Sequence, residues 1–363
     1  MNHKRKNLIL ILTIIGIFTG QQAKADFVFG IPKNSGPTIN TAFYGEYGPS
    51  ISADGLTLYF ADGAKWPYRP YGLGGGDIWI TTRETLNDEW QTPINIGSPI
   101  NTAALEGTPF ISANGLSLYF ASNRFGGVGE TDLYVSTRPS LDAPWEEPLN
   151  LGANVNSNSV DGFPYVSNDG LILYFASFRL GKGDIFRATR NDISESFGLA
   201  QNIGMPISTP DGDEGTPWIS PDGHTLFFTK LWGGSYDIFM AQRLEIDESW
   251  GTPVNLGPPV SIPKPGDESG GSFTADGTRF FFHGDHTGGY GHTDIWEAEV
   301  IPIVDLNGDG IIDAADMCII VDNWGTDNQL CDIGPMPWGD GVVDVQDLIV
   351  LAEHLFEETT PIE

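Results

Sequence analysis

The chain has 363 residues, a formal net charge of −30 at pH 7 and two cysteines. A chain this acidic repels nucleic acid and anionic lipid surfaces, and two cysteines are too few for a disulfide-stapled scaffold. Cations, neutral ligands and basic partners remain compatible with this charge, although acidity also serves solubility alone.

The first 25 residues have the pattern of a secretory signal. Basic residues at positions 4–6 precede an apolar stretch over residues 8–18, and Ala23 and Ala25 frame a cleavage site of the small-x-small type. The apolar stretch is shorter than the roughly 20 residues that a membrane-spanning helix needs. We therefore expect a secreted or cell-surface protein with no membrane span in its mature form.

Residues 26–300 contain five copies of one pattern, spaced 53 to 60 residues apart. The acidic residues that begin the copies are Glu46, Glu106, Asp161, Glu214 and Glu268. In each copy a short strand ends at an Asp-Gly or Asn-Gly pair, which supplies the positive φ of a hairpin turn. Two aromatic strands follow, and a fourth begins near an aromatic residue such as Trp90. Four short strands per copy at this period predict an all-β five-bladed β-propeller.

The fifth copy supplies only three strands before Pro302. The missing fourth strand matches a segment near the N-terminus. There, Phe29, Pro32, Asn34, Gly36 and Asn40 repeat the spacing of Trp90, Pro93, Asn95, Gly97 and Asn101. We expect this N-terminal strand to complete the last blade, which closes the ring and removes free sheet edges.

The chain resembles the TolB-type β-propeller repeats, which are related in architecture to WD-repeat proteins. The residues that carry the resemblance are the turn at Asn114-Gly115, the aromatic strand at Leu118-Tyr119-Phe120 and the Asp-Ile-aromatic strand at Asp184-Ile185-Phe186, with their counterparts in the other copies. The resemblance implies the fold and a binding-platform role more firmly than any activity. Members of the family scaffold protein contacts or accompany carbohydrate-degrading systems.

The five acidic residues are expected to ring one mouth of the central channel, because first strands line that channel in a propeller. They cap turn amides or pair with a neighbouring blade, bind a cation or sugar hydroxyls, or take part in catalysis. The loops on the same face carry the aromatic residues Trp66, Tyr68, Tyr71, Phe125, Phe178, Trp232, Tyr236 and Tyr290. Such side chains suit a sugar, a protein hot spot or packing within the loops. The five acids, Trp66 and Trp232 are the candidate ligand-binding residues.

No catalytic residue is assigned in the propeller. An acid and a base need different environments, whereas the five acids occupy equivalent positions. No Gly-x-Ser-x-Gly, His-Glu-x-x-His or phosphate-loop motif is present. We therefore expect a non-catalytic binding or scaffold propeller, and a glycoside hydrolase that uses channel-mouth carboxylates is the alternative.

The composition changes at Asp305, where a calcium-binding loop is predicted. Its expected ligands at positions 1, 3, 5, 7, 9 and 12 are Asp305, Asn307, Asp309, the carbonyl of Ile311, Asp313 and Asp316, with Gly310 at the turn. Hard oxygen ligands at this spacing are typical of an EF-hand-like loop that binds Ca²⁺. A solvated acidic turn is the alternative.

Aspartate at position 12 and a helix after the loop resemble a type I dockerin module. A second segment keeps Asp340, Asp344 and Asp347 at positions 5, 9 and 12. Met336 and Trp338 at positions 1 and 3 offer no side-chain oxygen, so that site is weak or completed by Asp332 or water.

The dockerin resemblance implies that residues 301–363 form a small helical, calcium-binding domain that binds a cohesin-like protein module. A calcium-stabilised cap without such a partner is the alternative. Export also permits a disulfide between Cys318 and Cys331. The expected role of the chain is a propeller tethered through this tail to an extracellular assembly, with polysaccharide degradation as one function of that assembly.

Overall fold

The computed structural model describes residues 27–63, 69–220, 223–243, 249–262, 267–307, 310–326, 331–334 and 342–356. The predicted secretory signal lies outside these residues. The chain divides into two compact units, which are described separately. The propeller unit is Pro32–Ala298, and the tail unit combines Met1–Ile31 with Glu299–Glu363.

The described part of the propeller unit consists of β-strands arranged in five sheets. Strand β1 (Phe27–Phe29) belongs to the tail unit, and β2 (Lys33–Asn34) precedes the first blade of the propeller unit. Blade 1 contains β3 (Glu46–Ile51), β4 (Thr57–Asp62), β5 (Ile78–Thr82) and β6 (Ile94–Asn95). Blade 2 contains β7 (Glu106–Ile111), β8 (Ser117–Ser122), β9 (Asp132–Thr137) and β10 (Leu149–Asn150). Blade 3 contains β11 (Asp161–Val166), β12 (Ile172–Ser177), β13 (Asp184–Thr189) and β14 (Gln201–Asn202).

Blade 4 contains β15 (Glu214–Ile219), β16 (Thr225–Trp232), β17 (Ser235–Gln242) and β18 (Val254–Asn255). Blade 5 contains β19 (Glu268–Phe273), β20 (Arg279–Gly284) and β21 (Asp294–Pro302). Within each blade the consecutive strands pair in antiparallel order. The predicted five-bladed all-β propeller is confirmed.

The fourth strands are shorter and begin later than the sequence predicts. Each has two residues and starts four positions after the aromatic residue, as at Ile94 after Trp90. Pro93 lies directly before this strand and has no N–H to donate to a ladder. The aromatic residue itself is buried beside the strand rather than within it.

The N-terminal segment completes blade 5, as predicted. Asn34 of β2 lies opposite Trp296 of β21, in the same register that places Asn95 opposite Trp79 in blade 1. The side chain of Asn40 bonds to both backbone groups of Ile295, with both distances 2.8 Å. Asn101 bonds to Ile78 at 2.8 and 2.9 Å in the same way. The two ends of the propeller unit are therefore joined by the contacts that blades 1 and 2 make within one continuous segment.

A β-bulge interrupts the first strand of every blade, two residues after the initial acid. The bulge residues all have a positive φ and are Gly48, Thr108, Phe163, Thr216 and Gly270. Three of them have side chains, and a positive φ is unfavourable for such residues. The bulge therefore belongs to the repeat and has a structural purpose in every blade.

The hydrophobic cores lie between successive blades. Between blades 5 and 1, the buried residues Phe281, Ile295, Leu58 and Phe60 belong to one cluster. Trp90 meets Phe281 edge-on, with ring centroids 6.1 Å apart. Because each blade buries its faces against its neighbours, the ring forms a single cooperative stack of sheets.

The tail unit contains the two predicted helices, α1 (Ala314–Asp322) and α2 (Val345–Glu353). Each begins with a capping box, in which two aspartates bond to each other's backbone. The pair is Asp313 and Asp316 in α1 and Asp344 and Asp347 in α2. The apolar residues between the helices form one core, which includes Ile320 and Leu351. No helix in the described residues is long and apolar enough to cross a membrane.

Candidate functional site

All five repeat acids are buried, with an exposed fraction of 0 to 1%. In blade 2, the Glu106 carboxylate accepts hydrogen bonds from the backbone N–H and the hydroxyl of Thr102, at 2.7 and 2.9 Å. A hydroxyl residue four or five positions before the acid makes both bonds in blades 1 to 4. In blade 5, the backbone N–H of Ile262 donates to Glu268.

Each buried acid is also paired with a basic side chain of its own blade. The pairs are Arg69–Glu46 at 2.7 Å, Arg124–Glu106 at 3.2 Å, Arg179–Asp161 at 2.9 Å, Lys230–Glu214 at 3.1 Å and His286–Glu268 at 3.2 Å. Arg124 also donates to the carbonyl of Ile100 and lies 5.1 Å from the ring centre of Phe120. A buried carboxylate needs such a partner because transfer from water is costly.

This placement favours the turn-capping alternative for Glu46, Glu106, Asp161, Glu214 and Glu268. Their oxygens accept hydrogen bonds from the loop before the first strand and pair with a basic side chain of the same blade. None of the five is exposed to the extent that contact with a sugar or a dissolved cation requires. The ion pairs therefore hold each entry loop to its blade.

Blade 1 departs from the repeat at the end of its second strand. Asp62 lies opposite Glu46, where blades 2 and 3 have Ser122 and Ser177. Burial raises the pKa of Glu46 to about 7, against the opposing effect of Arg69. Burial also raises the pKa of Asp62. One guanidinium thus serves two buried carboxyl groups, and Glu46 changes its charge near neutral pH.

The channel wall is built from the residues around the five bulges. They enclose a cavity of about 40 Å³. Its walls include Thr108, Phe163, Thr216 and the proline that follows each of them. A cavity of this size holds a few water molecules, whereas ligand sites usually measure about 300 Å³ or more. The space between the bulges is consequently too small to hold a sugar.

The bulge residues are bonded from blade to blade. The hydroxyl of Thr108 accepts from the backbone N–H of Phe163 at 3.1 Å, and the hydroxyl of Thr216 accepts from that of Gly270 at 3.3 Å. Between blades 5 and 1, His283 Nδ1 accepts from Gly48. Burial lowers the pKa of His283 to about 3, so this histidine stays neutral and can accept. The strained bulges therefore join neighbouring blades around the channel.

Several predicted loop aromatics are exposed at the face where second strands end. The described ones are Tyr71, Phe125, Phe178, Trp232 and Tyr290. Trp66 and Tyr68 lie outside the described residues. Trp232 is 59% exposed and meets Phe239 edge-on with ring centroids 6.1 Å apart. Its indole is thus supported from one side and open to solvent on another.

The hairpin that carries Trp232 is longer and tighter than its counterparts. β16 and β17 each have eight residues and are joined by Gly233 and Gly234 at φ values of 59° and 92°. Two positive φ values make a turn that matches the twist of the strands. Tyr236 donates its hydroxyl to Asp213 at 3.0 Å, and burial and Asp213 raise its pKa to about 12. The hairpin therefore presents Trp232 on a well-supported platform.

In the first tail segment, the structure orients two of the predicted calcium ligands. Asp305 is buried and accepts from the backbone N–H of Gly310 at 2.9 Å. Gly310 has a φ of 89°, as the predicted turn requires. Asp316 is fully buried and accepts from Leu306 at 2.8 Å and Asn307 at 3.2 Å. The loop therefore folds around these two carboxylates.

The remaining predicted ligands are placed less completely. Asp313 caps α1, and Ile311 is half-exposed. Asp309 and Asp340 lie outside the described residues. Within the described ranges, no group of three or more His, Cys, Asp or Glu side chains is arranged to hold a metal ion.

The second segment aligns with the first differently from the sequence prediction. Asp347 accepts from the backbone N–H groups of Ile333 and Gly334 at 2.6 and 2.8 Å, as Asp316 does from Leu306 and Asn307. Asp332, which is buried, therefore corresponds to Asp305. The placement of Met336 at position 1 is wrong, because the second loop is four residues longer than the first.

The two tail segments are related by reciprocal contacts. The backbone N–H of Gly325 after α1 donates to the carbonyl of Val343, and that of Phe356 after α2 donates to Ile312, both at 2.8 Å. Gly325 and Phe356 both have a positive φ. Each segment therefore closes against the loop of the other, and the pair forms one unit.

The expected disulfide is absent, because Cys318 and Cys331 are free thiols in the structure. Cys318 lies on the exposed side of α1. Cys331 is buried in the tail core beside Ile333, and its sulfur lies 4.0 Å from the carbonyl of Ile319. The two side chains thus face different environments.

Sequence reasoning missed the basic partners of the repeat acids. Arg124, Arg179 and His286 each follow the acid of their copy by 18 positions, which is a detectable signal. Arg69 and Lys230 break the spacing, because the loop of blade 1 is longer and the hairpin of blade 4 has no equivalent loop. In blade 2, the Asp that begins the third strand also accepts from the Gly-rich turn before it. Asp132 does so from Gly129 at 3.0 Å.

A scan against protein-family models finds no match, and a search of the curated proteins finds none either. Among solved structures, the catalytic domain of a GH62 α-L-arabinofuranosidase from Coprinopsis cinerea is 13% identical, with a TM-score of 0.50. The alignment covers 75% of this chain and 97% of that one. A TolB from Agrobacterium tumefaciens is 15% identical over 70% of this chain and 79% of its own, with a TM-score of 0.43. At these identities the likeness concerns the propeller fold.

Proposed function

We propose that the chain is an exported, non-catalytic binding or scaffold propeller, tethered by a calcium-dependent, dockerin-like tail to an extracellular assembly. The observation that carries this proposal is the reciprocal closure of the two tail segments, in which Gly325 bonds to Val343 and Phe356 bonds to Ile312. Two loop–helix units with mutual closure are what a paired calcium module requires. A polysaccharide-degrading assembly is the setting that we favour.

Two carboxylates of the first tail segment are of the kind that Ca²⁺ prefers. Asp305 and Asp316 are buried carboxylates that backbone amides already orient. Asp316 Oδ2 accepts one amide bond, from Asp313, and a carboxylate oxygen has a second acceptor site that suits a cation. Asp305, Asn307, Asp309, the Ile311 carbonyl, Asp313 and Asp316 would hold the ion, with Asp332, Asp344 and Asp347 in the second segment. Bound Ca²⁺ would offset the repulsion among these carboxylates and stabilise the tail.

The tail helices also offer a surface for a protein partner. Val321 and Trp324 at the end of α1, and Val345 and Ile349 on α2, are about half-exposed. Exposed apolar residues on a small unit favour association with another protein. The partner that we propose is a cohesin-like module, which would attach the propeller to its assembly.

The propeller ligand is proposed to contact the loop face rather than the channel. The supported and exposed indole of Trp232 suits the apolar face of a carbohydrate ring or an aromatic protein contact. The cavity of about 40 Å³ in the channel admits neither. A carbohydrate or protein ligand is therefore proposed to bind the loops and not the channel.

A glycoside hydrolase is the second candidate, because the fold is shared with a domain named as a GH62 α-L-arabinofuranosidase. Complete burial and pairing of the repeat acids weigh against this candidate. The test is incubation of the full chain with a panel of oligosaccharides. Saturable binding that Trp232→Ala weakens, without product release, supports the binding module. Product release that Glu106→Gln abolishes supports the hydrolase. Ile94→Ala, at an exposed apolar residue of β6, is the matched surface control.

A further inference from the structure

Blade 5 breaks the chemical pattern of the buried ion pairs. In blades 1 to 4 the acid is paired with arginine or lysine, which remain charged at all ordinary pH values. In blade 5 the partner of Glu268 is His286, with Nε2 and Oε1 3.2 Å apart. An imidazole carries a positive charge only when it is protonated, and an ordinary histidine loses that proton near pH 6.5. One pair of the five therefore has a partner whose charge depends on protonation.

The protein offers the pair little other compensation. Glu268 is fully buried and His286 is 8% exposed. The imidazole is packed between Phe282 and Trp296, with ring centroids at 5.4 and 5.0 Å. Among the described residues, neither His286 Nε2 nor Glu268 Oε1 makes a well-directed hydrogen bond, so the two groups meet as an ion pair. Among the described residues, His286 is the cationic partner of Glu268, whose other oxygen accepts from the backbone N–H of Ile262.

The surrounding charged groups disfavour a lone Glu268 carboxylate. Burial raises the pKa of Glu268, the hydrogen bond and charge of His286 oppose the rise, and Asp237 of blade 4 adds to it. The other titratable groups in the described parts of the neighbouring loops and strands are Asp267, Asp285, Tyr290, His292, Asp294 and the neutral His283. The aspartates among these make a second negative charge at this place unfavourable.

Blade 5 is also the blade that closes the ring. Its outer strand β2 comes from the N-terminal side of the propeller, whereas the other blades are continuous segments. β2 has two residues and pairs with Trp296 and Glu297 of β21. Trp296 in turn packs against His286. The titratable pair thus contacts the residue that holds the closing strand.

We propose that the Glu268–His286 pair makes closure of the propeller dependent on pH, with a tight blade 5 in acid and a looser one in alkali. The sign follows from proton binding. Glu268 releases its proton less readily in the folded than in the unfolded chain. Above the ordinary pKa of glutamate, the folded state therefore holds more protons than the unfolded state. Loss of the imidazole proton then leaves a buried carboxylate without a cation. The proton retained by Glu268 therefore lowers stability as pH rises.

The test compares the full chain with its His286→Arg variant, which restores the pairing of the other blades. Thermal unfolding is measured from pH 5.5 to 8.5. Relative to the variant, the wild-type Tm should fall by roughly 2–4 °C across this range. Hydrogen exchange, corrected for its intrinsic pH dependence, should place the loss of protection in β2 and β21 rather than in blade 2. An equal pH dependence in the two proteins would overturn the proposal.

Two further variants protect the test against a folding failure of His286→Arg. His286→Gln keeps the size of the side chain without its charge, and should be less stable than the wild type at pH 5.5 but similar at pH 8.5. Arg124→His should introduce a comparable Tm fall through the pair with Glu106. Lys264 is a cation four residues before Glu268 and lies outside the described residues. The comparison is therefore repeated in a Lys264→Ala background. A difference that vanishes there would assign the effect to Lys264 and refute the role of His286.

Discussion

Arg124 lies 3.2 Å from the carboxylate of Glu106, and this carboxylate has no exposed surface. The pair joins the end of the second strand of blade 2 to the loop before its first strand. Removal of one partner from a buried pair leaves an uncompensated charge, which costs more than the pair contributes. The repeat acids are thus best understood as anchors of the entry loops.

Replacement of Arg124 by alanine should lower the free energy of unfolding by about 3–5 kcal/mol, because Glu106 would be buried without its cation. Lys33→Ala, at an exposed cation 3.8 Å from the exposed Glu89, is the control and should change it by less than about 0.5 kcal/mol. Urea denaturation of both variants checks the prediction. Equal stability of the two would show that the buried pair is not needed.

Glu46 should make stability depend on pH around neutrality. Because its pKa is raised to about 7, the folded chain holds a proton that the unfolded chain releases near its ordinary value. The contribution is fully present at low pH and is lost as pH rises through about 7. Its size is on the order of 2–3 kcal/mol. Glu46→Gln should flatten the unfolding free energy between pH 5 and 8, and an unaltered slope would contradict the assignment.

Adjacent glycines in the first loop should differ sharply in their tolerance of a side chain. A Cβ at Gly74 would lie 2.5 Å from the carbonyl oxygen of Thr102 and 2.6 Å from the carbonyl carbon of Ala103. At Gly75 the nearest atom would be 3.7 Å away, an ordinary contact. Gly74→Ala should therefore destabilise by about 2 kcal/mol or more, and Gly75→Ala by less than about 1 kcal/mol. Thermal unfolding of the two variants checks this, and similar Tm values would rule out close packing of blades 1 and 2.

The repeat made most of the propeller predictable. Five copies of one pattern defined the blades. The spacing of Asn34 and Asn40 identified the closing strand, since both residues bond to the third strand of blade 5. Periodicity reports which residues are equivalent, but it does not report burial. Glu106 was therefore placed in the correct blade and strand. Its complete burial and its pairing with Arg124 depend on the three-dimensional arrangement of the blade, which the repeat pattern does not report.

The tail shows a different limit of sequence reasoning. Regular spacing located Asp305 to Asp316 and both helices. The second segment was misaligned, because four extra residues separate Asp332 from the Asp344–Asp347 capping box. An insertion cannot be recognised from spacing alone when Asp340 happens to preserve part of the pattern. Only the backbone bonds of Asp347 to Ile333 and Gly334 reveal the correct correspondence.

Calcium titration of the full chain after treatment with a chelator tests the tethering role most directly. Calorimetry should detect binding to the wild type, and Asp305→Ala should weaken it by roughly 100-fold or more. Asp332→Ala should affect a second site, if one is present in the titration. Asp322→Ala, at the end of α1, removes an acid outside the loop and should leave binding unchanged. Absence of binding to the wild type, or equal binding to the Asp305→Ala and Asp322→Ala variants, would contradict a calcium-dependent tail.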